Sequence, residues 1–147
     1  PAGEMKHGPL ALIENGLQEP KLQLGNLESV RTYQDARDAI KAYWLLAEAL
    51  REEKFKPGEV FNIAGEEIFH LSEIVKILCD YSTVDNIEVV TDPERLRPLD
   101  ADYQMFSCDK LKNTIDWKPE ISVRQMLSDL LDHWRNEIKT NRIPLNR

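Results

Sequence analysis

Two stretches free of proline and glycine, residues 35–53 and 122–138, constrain the fold most, because each carries apolar side chains at helical spacing. In the first, Ala36, Ala39, Ile40, Tyr43, Trp44, Ala47 and Leu50 recur at that spacing, which predicts a helix capped by Asp35, with Pro57 and Gly58 lying beyond its end. In the second, Ser122 and Gln125 form a capping box, and Val123, Met126, Leu127, Leu130, Leu131, Trp134 and Ile138 make one apolar stripe, which reads as core packing. Shorter elements separate them. Alternating or β-branched runs predict strands at 21–24, 59–64 and 87–90 and extended pieces at 29–33, 67–69 and 103–106. Leu71, Ile74, Val75 and Leu78 mark a helix starting near His70 with Glu73 supporting its first turn, and Asp109 opens a short helix through 114. Leu10, Ala11, Leu12 and Ile13 read as one or two helical turns ending at Asn15 and Gly16. The expected fold is α/β, a small mixed sheet packed with three or four main helices, most of the core coming from the 35–53 and 122–138 helices.

With 147 residues, 41% hydrophobic and 31% charged, the chain suits one globular domain and is poorly matched to disorder. A net charge of -7 disfavours nucleic acid or an anionic membrane surface as the main partner, so a phosphate ligand would need a local basic pocket. The longest apolar run is too short to span a bilayer. Cys79 and Cys108 fall on different predicted elements without CxxC or Cys/His spacing, which indicates neither a disulfide scaffold nor a zinc site and fits a reducing, cytoplasmic setting. The start at Pro1, without a visible signal peptide, leads to the expectation of an irregular or non-native segment 1–12, a domain over 13–140 and a flexible tail over 141–147.

Most catalytic signatures are missing from the chain. It contains no glycine-rich dinucleotide turn, P-loop, HExxH, GxSxG elbow or calcium loop. Glu48, Glu52, Glu53, Glu66 and Glu67 read as solvated faces or turns, and His70 as a cap or loop residue rather than a base. The segment 95–100 is different, since Arg95, Arg97 and Asp100 sit close together beside the stiffening Pro98. Guanidinium forks match phosphate oxygens, and a carboxylate three residues on can accept hydrogen bonds from vicinal hydroxyls. A solvated surface pair is the competing reading of the same residues.

The block Leu24-Gly25-Asn26-Leu27-Glu28-Ser29-Val30-Arg31, followed by Asp35-Ala36-Arg37-Asp38-Ala39 and Ala42-Tyr43-Trp44, resembles a block of extended short-chain dehydrogenase/reductases that act on nucleotide sugars. Its closest likeness is to GDP-mannose 4,6-dehydratases and GDP-4-keto-6-deoxymannose reductases. Arg97-Pro98-Leu99-Asp100 looks like the family's RPxE/D element and Asp116-Trp117-Lys118-Pro119 like its GWKP element. Thr32 stands where the family has Asp after the first Arg, and Asp116 replaces the Gly of GWKP. The resemblance covers roughly residues 13–138 and implies the C-terminal, substrate-binding part of such an enzyme. The NAD(P)-binding Rossmann half with its Ser/Thr-Tyr-Lys group would lie outside this chain, which has no YxxxK pattern and needs no cofactor of its own on this reading. It further implies that Arg31 and Arg97 contact a diphosphate, that Asp100 binds ribose hydroxyls, and that the strand around Leu22, Leu24 and Gly25 lies against the base. The implied ligand is a nucleotide sugar like GDP-mannose, with a second copy or a separate NAD-binding subunit as protein partner.

A shorter likeness, Gly3-Glu4-Met5-Lys6-His7-Gly8-Pro9-Leu10-Ala11-Leu12-Ile13, is similar to a segment of glucosamine-6-phosphate synthases in which the residue matching His7 helps open the sugar ring. That family's enolising Glu and phosphosugar loops have no counterpart here, so isomerase activity is not expected. The alternative to nucleotide-sugar binding is an interaction or oligomerisation module derived from the same domain.

Overall fold

The computed structural model describes residues 20–98 and 100–140. Strand β1 (Lys21–Leu24) pairs in parallel with β4 (Glu88–Thr91), Leu22 opposite Val89 and Leu24 opposite Thr91. A separate three-stranded mixed sheet has β2 (Val30–Thr32) at its centre, antiparallel to β3 (Ile68–His70) and parallel to β5 (Tyr103–Gln104). Helices α1 (Ala36–Arg51), α2 (Leu71–Asp80), α3 (Asp109–Thr114) and α4 (Val123–Lys139) complete an α/β fold of the expected class. Strands and helices 21–24, 109–114 and 123–138 fall where the residue pattern puts them. The segment 10–13 and the likeness around His7 lie outside the described residues.

Side chains and carbonyls from elsewhere in the chain finish each helix. The Asp35 carboxylate accepts the Arg37 amide at 2.8 Å and opens α1. The helix stops well before Pro57, at Glu52, where Lys54 N donates to Ala49 O (3.0 Å) and Glu53 N to Leu50 O (3.1 Å). Glu53 takes φ 58 there, the left-handed position that usually holds glycine. At α2, His70 N donates to Glu73 Oε2 (2.8 Å), and the Leu71 and Ser72 amides reach the Ser29 and Leu27 carbonyls, both at 3.0 Å. Ser122 Oγ accepts the Gln125 amide (3.2 Å) at the start of α4, and Glu67 Oε2 accepts the Val123 amide (2.8 Å), so Glu67 is a helix cap rather than a solvated turn residue.

The core divides in two. One cluster joins Ala42 and Ala49 of α1 to Leu111 of α3, with Ala64, Cys108, Ile115 and Trp117. The other joins Ile74 and Ile77 of α2 to Val123 and Leu127 of α4. The long first and last helices therefore each share their core with a shorter helix, instead of supplying most of it between them. Asp38, 3% exposed, fastens α1 to the segment after α3: its Oδ2 accepts the Glu120 and Ile121 amides at 3.0 Å each, and its carbonyl accepts Trp117 Nε1 at 3.0 Å.

Two sequence expectations are corrected. Residues 59–64 form no strand, although Phe61 and Ile63 point into the core and Val60 and Asn62 outward, as strand alternation requires. No strand among the described residues lies beside them; Lys110 Nζ takes the Val60 carbonyl (2.9 Å) and Asn62 Nδ2 donates to Ser107 O (3.3 Å). The apolar stripe of α1 also faces outward. Ile40, Tyr43 and Trp44 are each 66% exposed, while the inner face is made of Asp38, Ala42 and Ala49, small enough for Leu111 and Trp117 to approach closely. Periodicity reveals a helix but does not say which of two apolar faces is covered.

Candidate functional site

β2 carries Arg31 on one face and Thr32 on the other, because successive strand side chains alternate. On the Arg31 side, Nη2 donates to Asp100 Oδ1 at 3.1 Å while Nη1 is held by the Val30 carbonyl at 2.9 Å. The second Asp100 oxygen accepts Asn26 Nδ2, also at 3.1 Å. Asn26 is fixed in turn by its own Oδ1, which accepts the Glu28 amide at 2.9 Å in the turn that leaves β1. Arg31 and Asp100 side chains are 21% and 28% exposed, so the pair is partly desolvated yet open to a ligand. Burial raises the pKa of the neighbouring Tyr33 hydroxyl, and the Arg31 charge pulls it back.

The segment bearing Asp100 is anchored to the end of β1. Asp92 N donates to Leu24 O (2.7 Å), and the Asp92 side chain takes the Glu94 amide (3.0 Å) and Arg95 Nε (3.1 Å). Gly25 lies flat against this segment, and a Cβ there would stand 2.7 Å from the Arg95 carbonyl oxygen. Leu22 and Leu24 are half-buried in β1. Arg95 is thus a structural residue tied to Asp92. Arg97 is exposed and has no ion-pair or hydrogen-bond partner among the described residues. Three residues span at most about 11 Å, which keeps the Arg97 backbone within that distance of Asp100. Of the residues singled out from sequence, the structure joins Arg31 to Asp100 and sets Gly25 beside their support, while Arg97 stands near them and unengaged. Asn26 was missed as a participant, although an Asn after Gly in a turn is a recognisable signal for a side chain held by local hydrogen bonds.

On the Thr32 side lies a cleft of about 420 Å³, lined by Ala64, Gly65, Glu66, Met105 and Lys112 among others. Glu66 is ion-paired with Lys112 across it, so it is engaged rather than merely solvated. Among the described residues, no group of three or more His, Cys, Asp or Glu could hold a metal. No helix among them is long and apolar enough to cross a membrane. The described glycines do not fit a dinucleotide pyrophosphate: Gly25 packs on Arg95, Gly65 on Tyr33, and Gly58 sits in a turn with φ 89.

The family model described as GDP-mannose 4,6 dehydratase matches residues 9–130. The chain belongs to this family. A GDP-6-deoxy-D-mannose reductase of Pseudomonas aeruginosa is 28% identical over 88% of the chain and 41% of its own length. A CDP-paratose 2-epimerase of Salmonella typhi is 32% identical over 86% of the chain and 36% of its own length. Among solved structures, RMD from Pseudomonas aeruginosa, determined with NADPH, superposes with a TM-score of 0.73 at 26% identity, covering 88% of this chain and 40% of that one. A UDP-glucose 4-epimerase of Thermotoga maritima, solved with UDP-glucose, shares the fold with a TM-score of 0.67 at 23% identity. The chain therefore spans about two-fifths of the length of these family relatives.

Proposed function

We propose that the chain is the nucleotide-sugar-holding part of a GDP-mannose 4,6 dehydratase-like enzyme, with the NAD(P)-dependent chemistry carried by residues outside these 147. The carrying observation is the Asn26–Asp100–Arg31 cluster, in which an Arg from β2 and a carboxylate from a distant loop are held together at 3.1 Å and left partly open. In the absence of ligand, Asp100 neutralises Arg31. A diphosphate offers the guanidinium a stronger, bidentate acceptor, and its arrival frees Asp100 to accept hydrogen bonds from vicinal hydroxyls while Asn26 keeps the carboxylate oriented. Arg97, with no partner of its own among the described residues, supplies a second cation to the same anion. Leu22, Leu24 and Gly25 provide the wall for the base.

Further support comes from relatives whose names specify GDP- or CDP-linked sugars. Calorimetric titration of the chain with GDP-mannose, GDP and free mannose tests the reading. Binding of GDP-mannose and GDP but not mannose is expected, with modest affinity, because an open site buries less of its ligand. Loss of a charge-assisted contact costs about 1.5–3 kcal/mol, so Arg31→Ala should weaken GDP-mannose by roughly tenfold or more. Absence of heat with every nucleotide would overturn the proposal and favour the interaction-module alternative.

A further inference from the structure

The outer face of α1 is the largest feature that nucleotide-sugar binding leaves unused. Ile40, Tyr43 and Trp44, each 66% exposed, form with Ala47 and Leu50 a continuous stripe at helical spacing. The two rings and Ile40 leave on the order of 400 Å² of apolar surface in water, the size of a functional patch on a soluble protein. Beside α1 runs the segment 59–64, whose Phe61 and Ile63 pack on the same cluster as Ala42 and Ala49. Its chain alternates like a strand, yet among the described residues the amides of 60–63 make no backbone hydrogen bond. An extended segment with free amides accepts a further strand by edge addition. The helix stripe alone offers about half of the roughly 800 Å² that a stable interface takes from each partner, and the open edge extends it.

We propose that this face, α1 outside together with the 59–64 edge, seats a dinucleotide-binding α/β domain through its sheet. Three observations favour that occupant. The chain covers only 40–41% of its relatives, so the remainder is large enough to be a domain. One of those relatives is solved with NADPH, whereas the described glycines here do not suit a pyrophosphate. An open strand edge calls for a sheet, which an α/β domain has and a single amphipathic helix lacks. The occupant's identity rests on family membership; the docking is measured without any nucleotide sugar, so its outcome is independent of the site at Arg31.

The test is co-expression of the full 147-residue chain with the part of the Pseudomonas aeruginosa reductase outside the matched segment, followed by sedimentation and NADPH fluorescence. A one-to-one complex that binds NADPH is expected. The double variant Ile40→Lys, Trp44→Glu should lower its yield at least tenfold and Tyr43→Lys by a smaller factor, with circular dichroism and melting of each isolated variant chain unchanged. No complex, a complex indifferent to these substitutions, or a homodimer of the chain that the same substitutions dissociate would overturn the proposal.

Discussion

At the scale of single residues, the positions with the least freedom are those where backbone approaches backbone or a buried carboxylate serves amides. Gly65 would place a Cβ 1.8 Å from the Tyr33 carbonyl oxygen, and that oxygen belongs to the main chain and cannot swing away. Gly65→Ala is therefore expected to destabilise the chain by about 2–4 kcal/mol in urea unfolding, as overpacking and backbone shifts do. Asp38→Ala leaves two buried amides without an acceptor, each worth about 1–3 kcal/mol, and should lower stability by a similar amount while the Arg31 cluster keeps its geometry. Gly25→Ala has a different signature. Its added methyl pushes on the Arg95 carbonyl and displaces the segment carrying Asp100, so nucleotide affinity should fall more than stability does. Equal affinity in the alanine variant would show that this close approach does not position the site. The Arg31–Asp100 pairing was beyond reach of the sequence without a resemblance, because the residues lie 69 positions apart and only the fold brings them together. The local groups were legible: Asp35, Ser122 and Glu73 cap their helices as their spacing implies.

At the scale of elements, α1 shows what determines where a helix ends and which face it covers. Its stop depends on a left-handed residue, and Glu53 occupies that conformation at a steric cost glycine would not bear. Glu53→Gly is expected to raise stability by about 0.5–1 kcal/mol, measured as a shift in urea midpoint with unchanged slope. Sequence reading placed the stop at Pro57 and Gly58 because those are the visible breakers, whereas a non-glycine left-handed residue leaves no mark. The start of α1 is pH-sensitive. Hydrogen bonds from the Arg37 side chain hold the Asp35 carboxyl below the usual carboxylate range, against the opposing effect of burial. A folded-state pKa lowered in this way contributes stability that is present above the unfolded carboxylate pKa and lost as pH falls through the folded one. Arg37→Leu should thus be less stable than the parent at pH 7, and the gap should close below about pH 4. A gap that is constant with pH would remove the ionic account of this cap. Residues 59–64 mark the limit of propensity: side-chain alternation was visible in the sequence, but a strand also needs a neighbour, which single-chain pattern cannot supply.

At the scale of the molecule, two small sheets and two core clusters hold a site on one side of β2 and a cleft on the other. Fold class was legible because helix periodicity and strand alternation are local. Division of the core was not, since it depends on which of the two faces of α1 finds a partner. The exposed stripe of Ile40, Tyr43 and Trp44 makes the chain prone to association. Sedimentation over a range of concentrations should show weight-average mass rising with concentration for the parent and remaining flat for Trp44→Glu. A parent that stays monomeric throughout would place a lower value on that surface. The central claim concerns the other side of the molecule, and amide chemical shifts of the full chain during titration with GDP-mannose test it most directly. Shifts centred on Asn26, Arg31 and Asp100, abolished by Asp100→Ala, are the predicted result. Shifts centred instead on Gly65, Glu66 and Lys112 in the cleft across β2, or none at all, would contradict it.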